Sequence, residues 1–264
     1  ADGPSGIRMD NGAKATLLPS GTLLASSWDP ILVERLYVME GKELLRNGID
    51  LLLGPGMNIQ RHPLNGRNFE YFSEDPLITG MMAAAVVRGI RSGGGVATLK
   101  HFACNNQEFA RATADSVVSE RALREIYLKG FEYAVKSAGA SAVMTAYNPV
   151  NGYQAASSYD LTTTILREEW GFRGIVMTDW WATMNDPIDG GAASTRNTAA
   201  MIRAQNDLYM VVNNNGAEVN AAGDNTLAAL AKGELTLGEL QRCAINILDF
   251  MLQTQAFKRK IEDV

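Results

Sequence analysis

Gly174–Trp181 reads GIVMTDWW, and the reading of the fold turns on it. The run Ile175–Thr178 is apolar almost throughout and too short for a helix. It stops on a carboxylate, Asp179, and two indoles follow. Apolarity without alternation suits a parallel strand covered on both faces. Four further runs share this character: Ile49–Leu53, Val96–Leu99, Ala142–Ala146 and Leu208–Val212. Each is bounded by Gly, Pro, Asn or charged residues.

Segments of helical period lie between them. Pro30–Asn47 repeats Leu32, Leu36 and Met39. Ser119–Ser137 places Leu123, Ile126, Tyr127, Phe131 and Ala134 on one stripe. Asp160–Trp170 ends at Gly171, a C-terminal cap. Thr236 and Glu239 form a capping box ahead of a helix striped with Leu240, Cys243, Ile247 and Met251. Strand, loop and helix in alternation predict an α/β fold with a parallel sheet, and a TIM-type (β/α) barrel is the leading architecture. With five clear strands, an incomplete or collapsed barrel is as well supported as a closed one. An open doubly wound sheet is the fallback, since Gly54-Pro55-Gly56 and Gly93-Gly94-Gly95 are weak nucleotide fingerprints.

Bulk properties narrow the function. The chain has 264 residues, 46% of them apolar, enough for one sizeable core. A net charge of −5 offers no case for nucleic acid or an anionic membrane. No apolar run approaches the roughly 18 residues that span a bilayer. Cys104 and Cys243 read as free buried thiols, and two histidines, His62 and His101, make no metal-ligand set. No cofactor is indicated. Ala1-Asp2-Gly3-Pro4 opens on a turn and reads as a chain entered partway through a domain.

Polar residues fall where the strands end. Lys100 and His101 follow Leu99, Tyr147 and Asn148 follow Ala146, and Asp179 follows Thr178. The loop after Leu53 carries Arg67 among asparagines and acids. In β/α barrels such strand ends converge on one pocket. Each residue also has a bland role. Asp179 could cap a helix, Lys100 could be a solvated rim charge, His101 a core histidine, and Arg67 the partner of Glu70 or Glu74. Tyr147 and Trp180 could be packing aromatics. Together they suit sugar recognition, with cations donating to hydroxyls, a carboxylate accepting and an indole covering C–H surface. A strand-end aspartate near cations is also a sound nucleophile.

DGPSGIR, GRNFEYFSEDP, KHFACNNQE, VMTAYNPVNG and GFRGIVMTDWW together resemble the barrel domain of glycoside hydrolase family three, in its β-glucosidase branch. The resemblance runs from Asp2 to about Met210. It implies one barrel domain over residues 1–264, acting on a β-glucoside or cello-oligosaccharide by a retaining mechanism, with Asp179 forming a glycosyl-enzyme. It implies Asp2, Arg67, Lys100, His101 and Arg111 as ligands of the innermost sugar, Met144 and Tyr147 as its lining, and Trp180 stacked near the scissile bond, while Trp181 is read as packing. Asp2 resembles glucosidases more than xylosidases and so points to a hexose. The tail AQNDLYMVVNN looks like the branch whose α/β sandwich precedes the barrel, and it lacks the Met-Pro-Gly ending of many relatives.

No histidine follows His101 in ACNNQEFARATADS, which sets aside the N-acetylglucosaminidase branch. The acid/base is expected to be a glutamate of the absent sandwich domain. Glu70, Glu108 and Asp115 are read as orienting neighbouring cations. Two rivals stand beside this reading: a sugar-binding half-enzyme that needs its partner domain, and a Schiff-base aldolase-type barrel using Lys100. Homo-oligomer formation and compartment stay open.

Overall fold

The computed structural model describes residues 1–9, 12–211, 220 and 222–262. Its centre is a parallel sheet in which Leu51–Leu52, Val96–Phe102, Ala142–Thr145 and Ile175–Met177 lie side by side in chain order. Single parallel bridges extend it at both margins, from Asp2 to Leu53 and from Met177 to Leu208. The fold is thus α/β with the parallel order of a barrel, and the barrel is not closed among the described residues. The predicted fifth strand contracts to the bridge at Leu208, and its last residue, Val212, lies outside the described residues.

The longest helices have local causes. Asp29 accepts from the amides of Ile31 and Leu32, both at 3.0 Å, and Pro30 opens the helix Pro30–Arg46. Asp75 and Pro76 repeat the device for Pro76–Gly93, which the periodicity analysis does not find. The reason is the burial of its middle turns: Ala83, Ala84, Ala85, Val86 and Ile90 are wholly inaccessible, so those turns carry no polar stripe to read. It packs against Pro30–Arg46, against Lys129–Ala138 and against the strand Val96–Phe102. Glycines permit the approach. A Cβ at Gly89 would meet the Glu34 carbonyl at 2.5 Å, and one at Gly93 would meet Gly41 Cα at 2.6 Å.

Three expected stripes are out of phase. In Pro30–Arg46, Leu32 and Met39 are exposed, and Val33, Tyr37 and Leu44 face the core. The helix begun at Glu120 widens into a π turn over Leu123–Tyr127 before continuing as Lys129–Ala138. The Leu128 amide bonds the Leu123 carbonyl five residues back, and the extra residue rotates the core face. Leu128 is therefore buried, while Ile126 is partly exposed. Asp160–Glu169 is likewise π-helical and closes on Gly171 at φ +72°. The capping box holds: Thr236 N donates to Glu239 Oε2 at 2.7 Å, and Glu239 N to Thr236 Oγ1 at 3.2 Å. In Leu237–Gln253, Cys243 is buried, and Ile247 and Phe250 pack on the cluster holding Leu53, Met144 and Met177. Met251 instead faces outward with Ile245, Leu248 and Leu252. Cys104 and Cys243 are both free and buried.

A buried carboxyl group stands unmatched. Glu40, on Pro30–Arg46, is 2% exposed, and neither carboxylate oxygen has a hydrogen-bond partner among the described residues. Burial, reinforced by Glu43, pushes its pKa from 4.5 up to about 8. The unfolded chain releases this proton near pH 4.5 and the folded chain only near 8, so stability is full below 4.5 and falls across that window. Between pH 4.5 and 7 the loss is about 3 kcal/mol. The expected result is that Glu40→Gln gains about this much on the wild type over the same interval, read from urea unfolding at the two pH values. A constant difference would show that Glu40 ionises freely in the fold.

Candidate active site

The sheet assembles the site at the C-terminal ends of its strands. Lys100 pairs with Met144 and Phe102 with Thr145, so three residues of one strand span two of its neighbour. Strict alternation would send Lys100 and His101 to opposite faces; this irregularity lets both reach the same centre. Asn58 fixes the backbone there. Its Nδ2 donates to the His101 carbonyl and its Oδ1 accepts from the His101 amide, each at 2.8 Å, while Met57 N donates to the Lys100 carbonyl at 2.7 Å.

Asp179 is 5% exposed. Its Oδ1 accepts from the Trp180 amide at 2.8 Å, and Oδ2 is buried without a hydrogen-bond partner among the described residues. A turn follows it rather than a helix, which disposes of the capping role. The turn is tied down from the next segment: Thr178 N donates to the Leu208 carbonyl at 2.9 Å, and Trp181 N to the Met210 carbonyl at 3.0 Å.

Cations frame this carboxylate, each with a counter-charge. Lys100 Nζ lies 2.7 Å from Asp2 Oδ1, Arg67 Nε bonds Glu70 Oε1, and Arg111 Nη1 lies 2.7 Å from Glu108 Oε2. Arg111 also stacks on the Tyr147 ring at 4.7 Å, and the Tyr147 hydroxyl donates to the Trp180 carbonyl at 2.7 Å. His101 Nε2 lies 3.6 Å from Asp179 Oδ2. Burial raises the Asp179 pKa, and the Trp180 amide, Lys100 and Arg67 oppose it. Burial, then Arg67, Lys100 and Arg111, hold His101 well below the usual histidine range, so its ring is neutral.

Asp2, Arg67, Lys100, His101, Arg111, Tyr147, Asp179 and Trp180 thus form one connected centre. Met144 is buried in the apolar cluster that Trp180 packs against. Trp181 is 53% exposed at φ +51° and leans on Trp180 rather than filling a core. Asp115 accepts from the Gly152 amide at 3.0 Å, so its bond is to backbone where the sequence suggested a cation. Asn58, Tyr71 and Asn105 went unnamed in the sequence reading. Their signal is faint, although Tyr71 lies inside GRNFEYFSEDP and Asn105 inside KHFACNNQE. Among the described residues no group of three or more His, Cys, Asp or Glu is placed to hold a metal ion. No described helix is long and apolar enough to cross a membrane.

A cleft of about 770 Å³ lies to one side, between the loops around His62 and Phe109, and Glu108, the partner of Arg111, lines it. Asp179, His101, Lys100, Arg67 and Arg111 do not line it.

A parallel α/β scaffold with a strand-end carboxylate among cations and an indole is that of a glycoside hydrolase barrel domain. The family model described as the glycosyl hydrolase family 3 N terminal domain matches residues 2–249, and the chain belongs to that family. It is 57% identical over 261 residues to a β-glucosidase of Ruminococcus albus, covering 99% of this chain and 27% of that protein. A β-glucosidase structure from Paenibacillus barengoltzii superposes with a TM-score of 0.96 at 72% identity, over 97% of this chain and 28% of that one. β-Glucosidase 3B of Thermotoga neapolitana, solved with α-D-glucose, superposes at 0.86 with 41% identity, over 98% and 36%. The chain therefore spans about a quarter to a third of the length of these relatives.

Lys100→Met removes one of the charges that oppose burial at Asp179. The expected outcome is a higher Asp179 pKa than in the wild type, followed by ¹³C carboxyl titration. An unchanged or lower value would show that Lys100 does not act on this carboxylate.

Proposed function

We propose that the chain is the catalytic barrel of a retaining β-glucosidase that removes terminal β-D-glucosyl residues from oligosaccharides or aryl glucosides. The observation that carries the reading is Asp179: a buried strand-end carboxylate, one oxygen held by the Trp180 amide and the other without a partner among the described residues, facing His101. The relatives named as β-glucosidases support the substrate class.

In the first step Asp179 Oδ2 attacks the anomeric carbon. The bond to the glycosidic oxygen breaks, and its electron pair leaves with that oxygen, which takes a proton from a general acid. In the second step water attacks the same carbon, gives up a proton to the group that served as acid, and releases Asp179. On this reading Lys100, Asp2, Arg67, His101 and Arg111 bind sugar hydroxyls, with Met144, Tyr147 and Trp180 as the wall. The nearby carboxylates Asp2, Glu70 and Glu108 are each engaged by a cation; the resemblance implies that the acid/base is a glutamate of a second, α/β sandwich domain. A cello-oligosaccharide fits the hexose preference. The aldolase reading has little support, because the Lys100 ammonium is committed to Asp2 and carbonyl attack needs the free amine.

The test is a 2-deoxy-2-fluoro β-glucoside with a dinitrophenolate leaving group, which departs without protonation. The expected result is a stable adduct mapped by mass spectrometry to Asp179, absent in Asp179→Asn. If folded protein stays unlabelled alone and again with the second domain supplied, the reading fails. Labelling only when that domain is present would identify the chain as a half-enzyme.

A further inference from the structure

His101 has two ring edges and, being neutral, one ring proton. Its Nε2 edge faces Asp179 Oδ2 at 3.6 Å, and its Nδ1 edge faces the Tyr71 hydroxyl at 3.5 Å, both in buried surroundings. With the proton on Nδ1, the Nε2 lone pair would confront a buried carboxylate oxygen. With the proton on Nε2, that edge presents an N–H to the anion, and Nδ1 becomes an acceptor in need of a donor. Tyr71 can supply one. Its hydroxyl accepts from Asn105 Nδ2 at 3.1 Å, which leaves its own proton free to donate. The acceptors within reach are His101 Nδ1 and the Asn105 carbonyl, the latter at 3.3 Å. Burial, the largest influence on Tyr71, raises its pKa and keeps the phenol protonated.

We propose that Tyr71 is a positioning residue that holds His101 in the Nε2–H tautomer, so that the ring turns its proton toward Asp179. The chain Asn105–Tyr71–His101–Asp179 then runs donor to acceptor throughout. Only its effect on rate rests on the glucosidase reading; the tautomer itself does not.

The chain has two histidines, so long-range ¹H–¹⁵N spectra of the imidazoles resolve the question, with His62→Asn assigning the pair. The wild type is expected to show a pyridine-type Nδ1 and a pyrrole-type Nε2 at His101. Tyr71→Phe is expected to populate the Nδ1–H form and to slow Asp179 labelling by about 2- to 10-fold, the worth of one neutral hydrogen bond. Should Tyr71→Phe fail to fold, 3,5-difluorotyrosine incorporation strengthens the phenol as a donor and is expected to move the His101 Nδ1 resonance while leaving His62 in place. A wild-type ring protonated at Nδ1 overturns the proposal. So does a folded Tyr71→Phe with the wild-type pattern, or a fluorinated protein with an unmoved Nδ1.

Discussion

A carboxylate removed from water at the end of a strand has to be supported by its surroundings, and most of the polar structure around Asp179 provides that support. Lys100, Arg67 and Arg111 lie around it, yet each is paired with a carboxylate of its own, Asp2, Glu70 and Glu108. With His101 neutral, three cations stand against four carboxylates, and the cluster carries one net negative charge. The cations are thus fixed in direction by their partners, and their fields at Asp179 only partly offset the cost of burial. The Trp180 amide adds one hydrogen bond to Oδ1, and the ties to Leu208 and Met210 hold the turn, yet burial prevails and the Asp179 pKa stays raised.

The strands were legible because short apolar runs with polar stops have few alternatives, and the residues placed after those stops are the ones the sheet brings together. Pro76–Gly93 was hidden by the burial of its middle turns on all sides. The core phase of Ser119–Ser137 was lost where the π turn at Leu123 inserts a residue that no pattern of period 3.6 anticipates. Asn58 lies 43 residues from His101 and its side chain acts on the His101 backbone, so neither spacing nor residue type advertises it. Lys100 and His101 could both be named because they stand together in KHF. The irregularity that turns both inward is a matter of register, which one strand alone does not encode.

The helix Pro76–Gly93 has a further consequence for the segment that precedes it. Met57 is bonded to the Lys100 carbonyl, and Asp75 is bonded into the first turn of a helix pressed against two others. The stretch between them, which carries Arg67, is therefore clamped at both ends by parts of the protein that have no room to shift. It stands to the barrel as a replaceable insert stands to its frame. Its interior can be recut to suit another ligand while the strand ends stay in place, provided that Met57, Asn58, Tyr71 and Asp75 keep their bonds.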